Sequence, residues 1–157
     1  MPLSISYRIT GLGWAECRVT EGTNTCTVSA SYLSDALRSL VLAATAALSR
    51  FSRMSFSFDE EPGEYRWVLS ASRLNEFDLQ ILSFPELWGE KPDTEGKLLF
   101  RTVCVPETFA SAVHAAAASV LAEHGEKGYR EKWSEHGFPM AQFNELSRLL
   151  STLQDGA

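Results

Sequence analysis

Leu3, Ile5, Tyr7 and Ile9 alternate with Ser4, Ser6 and Arg8, the period of two that marks a strand with one buried face. Gly11 and Gly13 break the run, and Ala15, Cys17 and Val19 then alternate with Trp14, Glu16 and Arg18. Glu21-Gly22-Thr23-Asn24 supplies a turn, after which Cys26, Val28 and Ala30 alternate with Thr25, Thr27 and Ser29. The pattern predicts a three-stranded antiparallel meander. At Ser31 the period changes. Leu33, Ala36, Leu37, Leu40, Ala44, Ala47, Leu48 and Phe51 recur at three- and four-residue steps, which predicts an amphipathic helix over 32–51. Ser31 or Ser34 is its expected cap, Asp35 suits the first turn, and Arg50 and Arg53 are expected near its C-terminal end.

Strand signals return with Met54, Phe56 and Phe58, and again with Tyr65, Trp67, Leu69 and Ala71 alternating with Arg66, Val68 and Ser70. Between them, Glu61-Pro62-Gly63-Glu64 fits a type II turn, with proline pre-setting the first central φ and glycine accepting a positive second one. Arg73-Leu74-Asn75-Glu76 makes a second turn, and Phe77, Leu79 and Ile81 continue the alternation until Pro85. A loop over 85–95 leads to a strand from Lys97 to Val105. Phe109, Ala112, Val113, Ala116 and Val120 share one face of a helix over 107–124, which Gly125 and Gly128 end. A short helix from Tyr129 to Glu135 and another from Pro139 to Leu153 complete the chain. The order β-β-β-α-β-β-β-β-α-α-α, with short turns between strands, implies an α+β fold: an antiparallel sheet of about seven strands with helices gathered mainly on one face.

Composition leaves that picture intact. The 157 residues fit one domain, 1–157, since domains most often run ~100–150 residues. No apolar run approaches the ~20 residues of a membrane-spanning helix, and MPLSISYRIT lacks a basic start followed by an apolar run. A cytoplasmic protein that does not enter a membrane is expected. Cys17, Cys26 and Cys104 lie in strand-like stretches with no close spacing, as expected of reduced, buried thiols rather than a disulfide.

Charge adds more. Residues 1–58 carry five bases against three acids, residues 59–100 four against ten, and residues 101–157 five against seven. Acidity confined to one stretch argues against a nucleic-acid binder, which needs a basic face, and suits a basic protein partner. Asp59, Glu60, Glu61 and Glu64 form its densest part. Their spacing is not that of a calcium loop, so no metal is expected there. His114, His124 and His136 are scattered, and no nucleophile-base or zinc spacing can be assembled around them. The pair Gly11 and Gly13 lacks the third glycine and the following helix of a dinucleotide fingerprint. Neither a catalytic residue nor a cofactor is therefore assigned.

The remaining candidates are aromatic and basic. Trp88 sits in the 85–95 loop among acids, and loop tryptophans often anchor interfaces. The second sheet face combines Arg66, Val68, Asp78, Gln80, Leu82, Phe84, Leu99, Arg101 and Val103, so either the C-terminal helices cover it or it binds something. The segments Ala30–Leu37, Phe58–Trp67, Leu87–Gly89 and Glu126–Trp133 resemble a set of small bacterial proteins of similar length to which no activity is attached. The resemblance implies a bacterial, single-domain protein and assigns no site residues.

The leading expectation is a non-enzymatic protein-interaction module, in its sharpest form an immunity- or antitoxin-like inhibitor. Asp59, Glu60, Glu61, Glu64, Arg66, Trp88 and Arg101 are its candidate partner-binding residues. The alternatives are a small-molecule or enzymatic site between the second sheet face and the 85–95 loop, and a structural subunit of a homodimer or larger homo-oligomer.

Overall fold

The computed structural model describes residues 2–133 and 136–155. Strands β1 (Leu3–Gly11), β2 (Trp14–Glu21) and β3 (Asn24–Ser31) form one antiparallel sheet in that order. Helix α1 (Ala36–Ala47) follows, and then β4 (Arg53–Glu60), β5 (Gly63–Arg73), β6 (Glu76–Phe84) and β7 (Lys97–Cys104) form a second. Helices α2 (Pro106–Trp133) and α3 (Met140–Asp155) end the described chain. The seven strands are thus divided between two sheets, and the fold is α+β with antiparallel pairing throughout.

Alternation in the meander translates directly into burial. Leu3, Ile5, Tyr7, Ala15, Cys17, Val19, Cys26, Val28 and Ala30 all point into the core, while most of the polar residues between them are exposed. The register sets Cys17 opposite Val28 and Cys26 opposite Val19. All three cysteines are free and buried. Burial pushes the Cys104 thiol up to about 12, so it is protonated and unreactive at neutral pH.

The first helix is shorter at both ends than its hydrophobic period suggests. Ser31 and Ser34 are occupied elsewhere: Ser31 Oγ accepts from the Leu33 N–H, and Ser34 Oγ accepts from the Asp59 N–H at 3.0 Å. The N-cap position falls to Asp35, whose side chain makes no capping hydrogen bond. At the other end the Leu48 and Ser49 N–H groups bond three residues back, to Thr45 and Ala46, tightening and closing the last turn. Arg50 therefore lies beyond the helix and Arg53 begins β4, so neither meets the dipole.

The tip of the β4–β5 hairpin also departs from expectation. Glu60 pairs with Gly63, and the Glu61–Pro62 bond is cis. The turn is therefore centred one residue earlier than a type II turn would be, with proline in its second central position. Gly63 serves close approach instead: a Cβ there would sit 2.3 Å from the Phe84 carbonyl oxygen. In α2, Gly125 adopts φ 69° and interrupts the helix, after which helical structure resumes through Tyr129 to Trp133. The final two positions of the expected Tyr129–Glu135 helix lie outside the described residues.

One continuous apolar cluster joins both sheets and all three helices. Helix α2 lies along β1 and α1, α3 packs on α1 and α2, and β3 meets β4 and β7. Of the alanines Ala110, Ala115, Ala117 and Ala118 of α2, Ala110 and Ala117 are fully buried within the chain, Ala118 is half-buried and Ala115 is exposed. At the sheet junction Phe58 is 0% exposed. Its ring meets Tyr7 of the first sheet edge-on at 6.5 Å and Trp67 of the second at 5.3 Å. No helix among the described residues is long and apolar enough to cross a membrane.

Gly63→Ala is expected to cost about 1–3 kcal/mol, because backbone must move to admit the methyl group. Leu74→Ala, at a side chain 89% exposed, should change stability by less than about 0.5 kcal/mol. Urea midpoints of the two variants test this: equal midpoints would remove the Phe84 contact as a constraint.

Candidate functional site

The acidic hairpin and the tryptophan loop, 27 positions apart between Glu61 and Trp88, meet at one end of the second sheet. The Leu87 N–H donates to the Pro62 carbonyl at 2.8 Å, and Trp88 Nε1–H donates to Asp59 Oδ2 at 3.1 Å. Trp88 and Glu90 both take positive φ, 57° and 52°, which turns the loop outward here. The Trp88 ring remains 68% exposed. Glu61, Glu86 and Glu90 are exposed around it, with Asp59 and Glu60 half-buried. Desolvation raises the Asp59 carboxyl, the Trp88 hydrogen bond opposes that rise, and the Glu64 charge adds to it.

Glu64 and Arg66 play a different part. The Glu64 side chain is nearly buried and accepts hydrogen bonds from Ser57 and, at 3.4 Å, from Arg66. The Arg66 guanidinium, 13% exposed, stacks over the Phe84 ring at 4.1 Å. It donates to the Lys91 carbonyl at 2.7 Å and to Asp93 Oδ1 at 2.9 Å. Arg53 donates to the other Asp93 oxygen. These bonds bind the 85–95 loop, with its 3-10 turn at Asp93–Glu95, onto the outer sheet face, where Val68, Leu82 and Phe84 form a small buried cluster.

Neither C-terminal helix packs substantially on that face; the loop folds over the part around Arg66, whose guanidinium is held by the loop's oxygens. Arg66 lies against Phe84 beneath the loop, on the face where the small-molecule alternative would place its site. An open cleft of about 930 Å³ lies elsewhere, between the end of α1, the β5–β6 turn and the start of α2, lined by Leu48, Phe51, Leu74, Val105 and Leu153.

Arg101 stands apart on β7, 61% exposed and paired with Asp78 at 2.9 Å, so it does not join the Trp88 surface. Leu99 is not on the outer face. A register shift between Ile81 and Leu82 pairs Leu82 with Leu98, which turns Leu99 toward the core and leaves Leu98 50% exposed.

A second polar locus gathers residues that local spacing does not connect. Tyr7 OH, Asp35 Oδ1, Tyr129 OH and Trp133 Nε1 are buried with no hydrogen-bond partner among the described residues. The His136 Nδ1 atom lies 3.6 Å from Asp35 Oδ2. Desolvation raises Asp35, against which the His136 and Arg38 charges and the Arg38 backbone N–H act to lower it. Burial pushes Tyr7 well up, with added repulsion from Tyr129, Cys17 and Asp35, and burial and Asp35 push Tyr129 up likewise. Asp35 reads from the sequence as a helix-dipole residue, Tyr7 as a buried strand position and Tyr129 as the start of a short helix, and no spacing connects them. Of the other histidines, His114 stacks on Phe143 at 4.8 Å and shares a hydrogen bond with Ser147. Among the described residues no group of three or more His, Cys, Asp or Glu is placed to hold a metal.

Desolvation acts to raise Asp93, and the hydrogen bonds and charges of Arg66 and Arg53 overcome it, holding the carboxyl below its ordinary value. A depressed carboxyl stabilises the fold fully above its unfolded pKa of about 3.9 and loses that contribution as pH falls through the lower folded value. Asp93→Asn should therefore flatten the acid limb of stability against pH below about 4. Arg66→Met should cost about 3 kcal/mol, because it leaves Glu64 buried and unpaired, and should open the 85–95 loop to protease. Urea titrations between neutral and acid pH, with limited proteolysis, measure both. No protein-family model, curated protein or solved structure matches the chain.

Proposed function

We propose that this chain is a non-enzymatic protein-interaction module that meets a basic partner through the surface around Trp88. In its sharpest form it is an immunity- or antitoxin-like inhibitor acting in a bacterial cytoplasm. The observation that carries this reading is an exposed indole held in place among carboxylates. Trp88 is 68% exposed, yet its N–H is tied to Asp59 at 3.1 Å and its loop is tied to Pro62.

An anchored ring has little conformational freedom left to lose on binding, which favours it as an interface anchor. Glu60, Glu61, Glu86 and Glu90 around it form a negative field that speeds encounter with a basic protein and repels acidic ones. Arg66 and Glu64, both nearly buried, support this surface from beneath, and Arg101 lies away from Trp88 on β7, paired with Asp78. A partner whose own function requires a positive cleft, such as a nuclease, is the natural complement.

Affinity purification at ~0.1 M salt, where the Debye length is about 10 Å, should retain a basic protein encoded beside the gene for this chain. Glu60→Lys with Glu61→Lys should weaken that complex most at low salt. Trp88→Ala should weaken it by a factor of about 30 or more at any salt, as an anchor worth ~2 kcal/mol requires. A solitary gene with no salt-sensitive partner, or affinity unchanged in both variants, overturns the reading.

A further inference from the structure

Asp35 occupies the N-cap position of a twelve-residue helix, where aspartate normally accepts from the first-turn N–H groups; its side chain makes no capping hydrogen bond of ordinary geometry, although the Arg38 N–H is close enough to act on its carboxyl. One carboxylate oxygen, Oδ2, lies 3.6 Å from His136 Nδ1. The other is buried with no partner. Three more buried polar atoms in the same region, on Tyr7, Tyr129 and Trp133, also have none among the described residues. Tyr7 is 5% exposed, and Tyr129 and Trp133 are 0% exposed. Buried polar groups are paired in the large majority of cases, so four orphans in one locus call for an explanation.

Main-chain ties bring these groups together. The Asp59 N–H donates to Ser34 Oγ, placing the start of α1 beside the strand whose Phe58 ring meets Tyr7. The Gly13 N–H donates to the Lys132 carbonyl at 2.7 Å, fixing the end of α2 against the β1–β2 turn. Tyr129 lies 6.3 Å from Trp133 and 5.6 Å from Phe138, ring to ring. The side chains of His136 and Asp35, 32% and 23% exposed, are the solvent-facing members.

The atoms' own chemistry selects the partner. A carboxylate oxygen only accepts, an indole N–H only donates, and a phenol does either. A ligand that completes the set must therefore donate and accept at once. An anion meets repulsion from Asp35, and a simple cation offers nothing to the Trp133 N–H. We infer that Tyr7, Asp35, Tyr129 and Trp133 form a binding site for a small neutral ligand bearing a carboxamide or hydroxyl group, entered beside Asp35 and His136. This site is separate from the Trp88 surface and does not depend on its partner.

The test follows the Trp133 indole N–H in nitrogen-edited NMR spectra, assigned with Trp133→Phe, during titration with acetamide and, in separate arms, ammonium chloride and sodium acetate. Acetamide should shift the signal saturably while the two salts do not. Tyr129→Phe keeps the buried ring and removes only the hydroxyl, and Asp35→Asn keeps the shape. Each should weaken acetamide about five- to tenfold, as expected for one lost hydrogen bond. Trp88→Ala should leave the titration unaltered, so the two sites are judged independently. An indole signal unmoved by acetamide means that the locus holds water alone and overturns the inference. So do salts that bind as well as acetamide, or folded variants that bind as tightly as the parent.

Discussion

Phe58 occupies the position on which both candidate sites depend. Its fully buried ring is pressed between Tyr7 of the first sheet and Trp67 of the second, with Phe56 6.1 Å away. Because a protein interior packs at near-crystalline density, such a junction sets the separation and angle of the two sheets rather than merely gluing them. Asp59, the next residue, turns out from that junction to receive the Trp88 indole. Tyr7, on the other side of the same contact, keeps its hydroxyl buried. Aromatic packing at one point therefore positions an outward-facing acidic surface and an inward-facing polar locus.

The 85–95 loop is a second consequence of packing, reached through charge. An arginine laid across a sheet face beside phenylalanine needs oxygen partners close by, since an unpaired charge that is 13% exposed is costly. The Lys91 carbonyl, Asp93 and Glu64 supply them. The loop is held from its far half by these bonds and from its near half by Pro62 and Asp59. Trp88 and the acids beside it are among the loop residues left exposed. A loop without secondary structure of its own beyond one 3-10 turn thereby becomes a rigid presenter of a single ring.

The orphaned hydroxyls and carboxylate around Asp35 run the opposite way. Each unpaired buried group costs on the order of 1–3 kcal/mol, and a raised Asp35 means that the folded chain loses stability as pH rises from its unfolded pKa through its folded value. Folds retain such costs where activity requires a polar, preorganised locus, since selection for stability alone would remove them. Replacing any one of these groups by its apolar isostere bears on stability and on binding in opposite senses, which makes the locus open to dissection.

The chain's own pattern determined the elements. A period of two in the first thirty residues and a period near 3.6 after Asp35 follow from which side of each strand or helix must leave water, and burial obeys them residue by residue. The acidic stretch and the loop tryptophan were equally legible, as were the reduced cysteines. Tertiary structure decided the rest. Seven strands divide into two sheets because β3 and β4 are separated by α1 and pair with different neighbours, which no local periodicity encodes. Leu99 changes face at a one-residue register shift, and a period of two cannot anticipate where it will slip. Glu64 and Arg66 look like surface charges from their alternation, yet the returning loop buries them. Asp35, Tyr7, Tyr129 and Trp133 come from three separate elements. Convergence of that kind depends on the angle at which sheets and helices pack, and that angle is set by the summed shape of side chains at the Phe58 junction rather than by the spacing of any one segment.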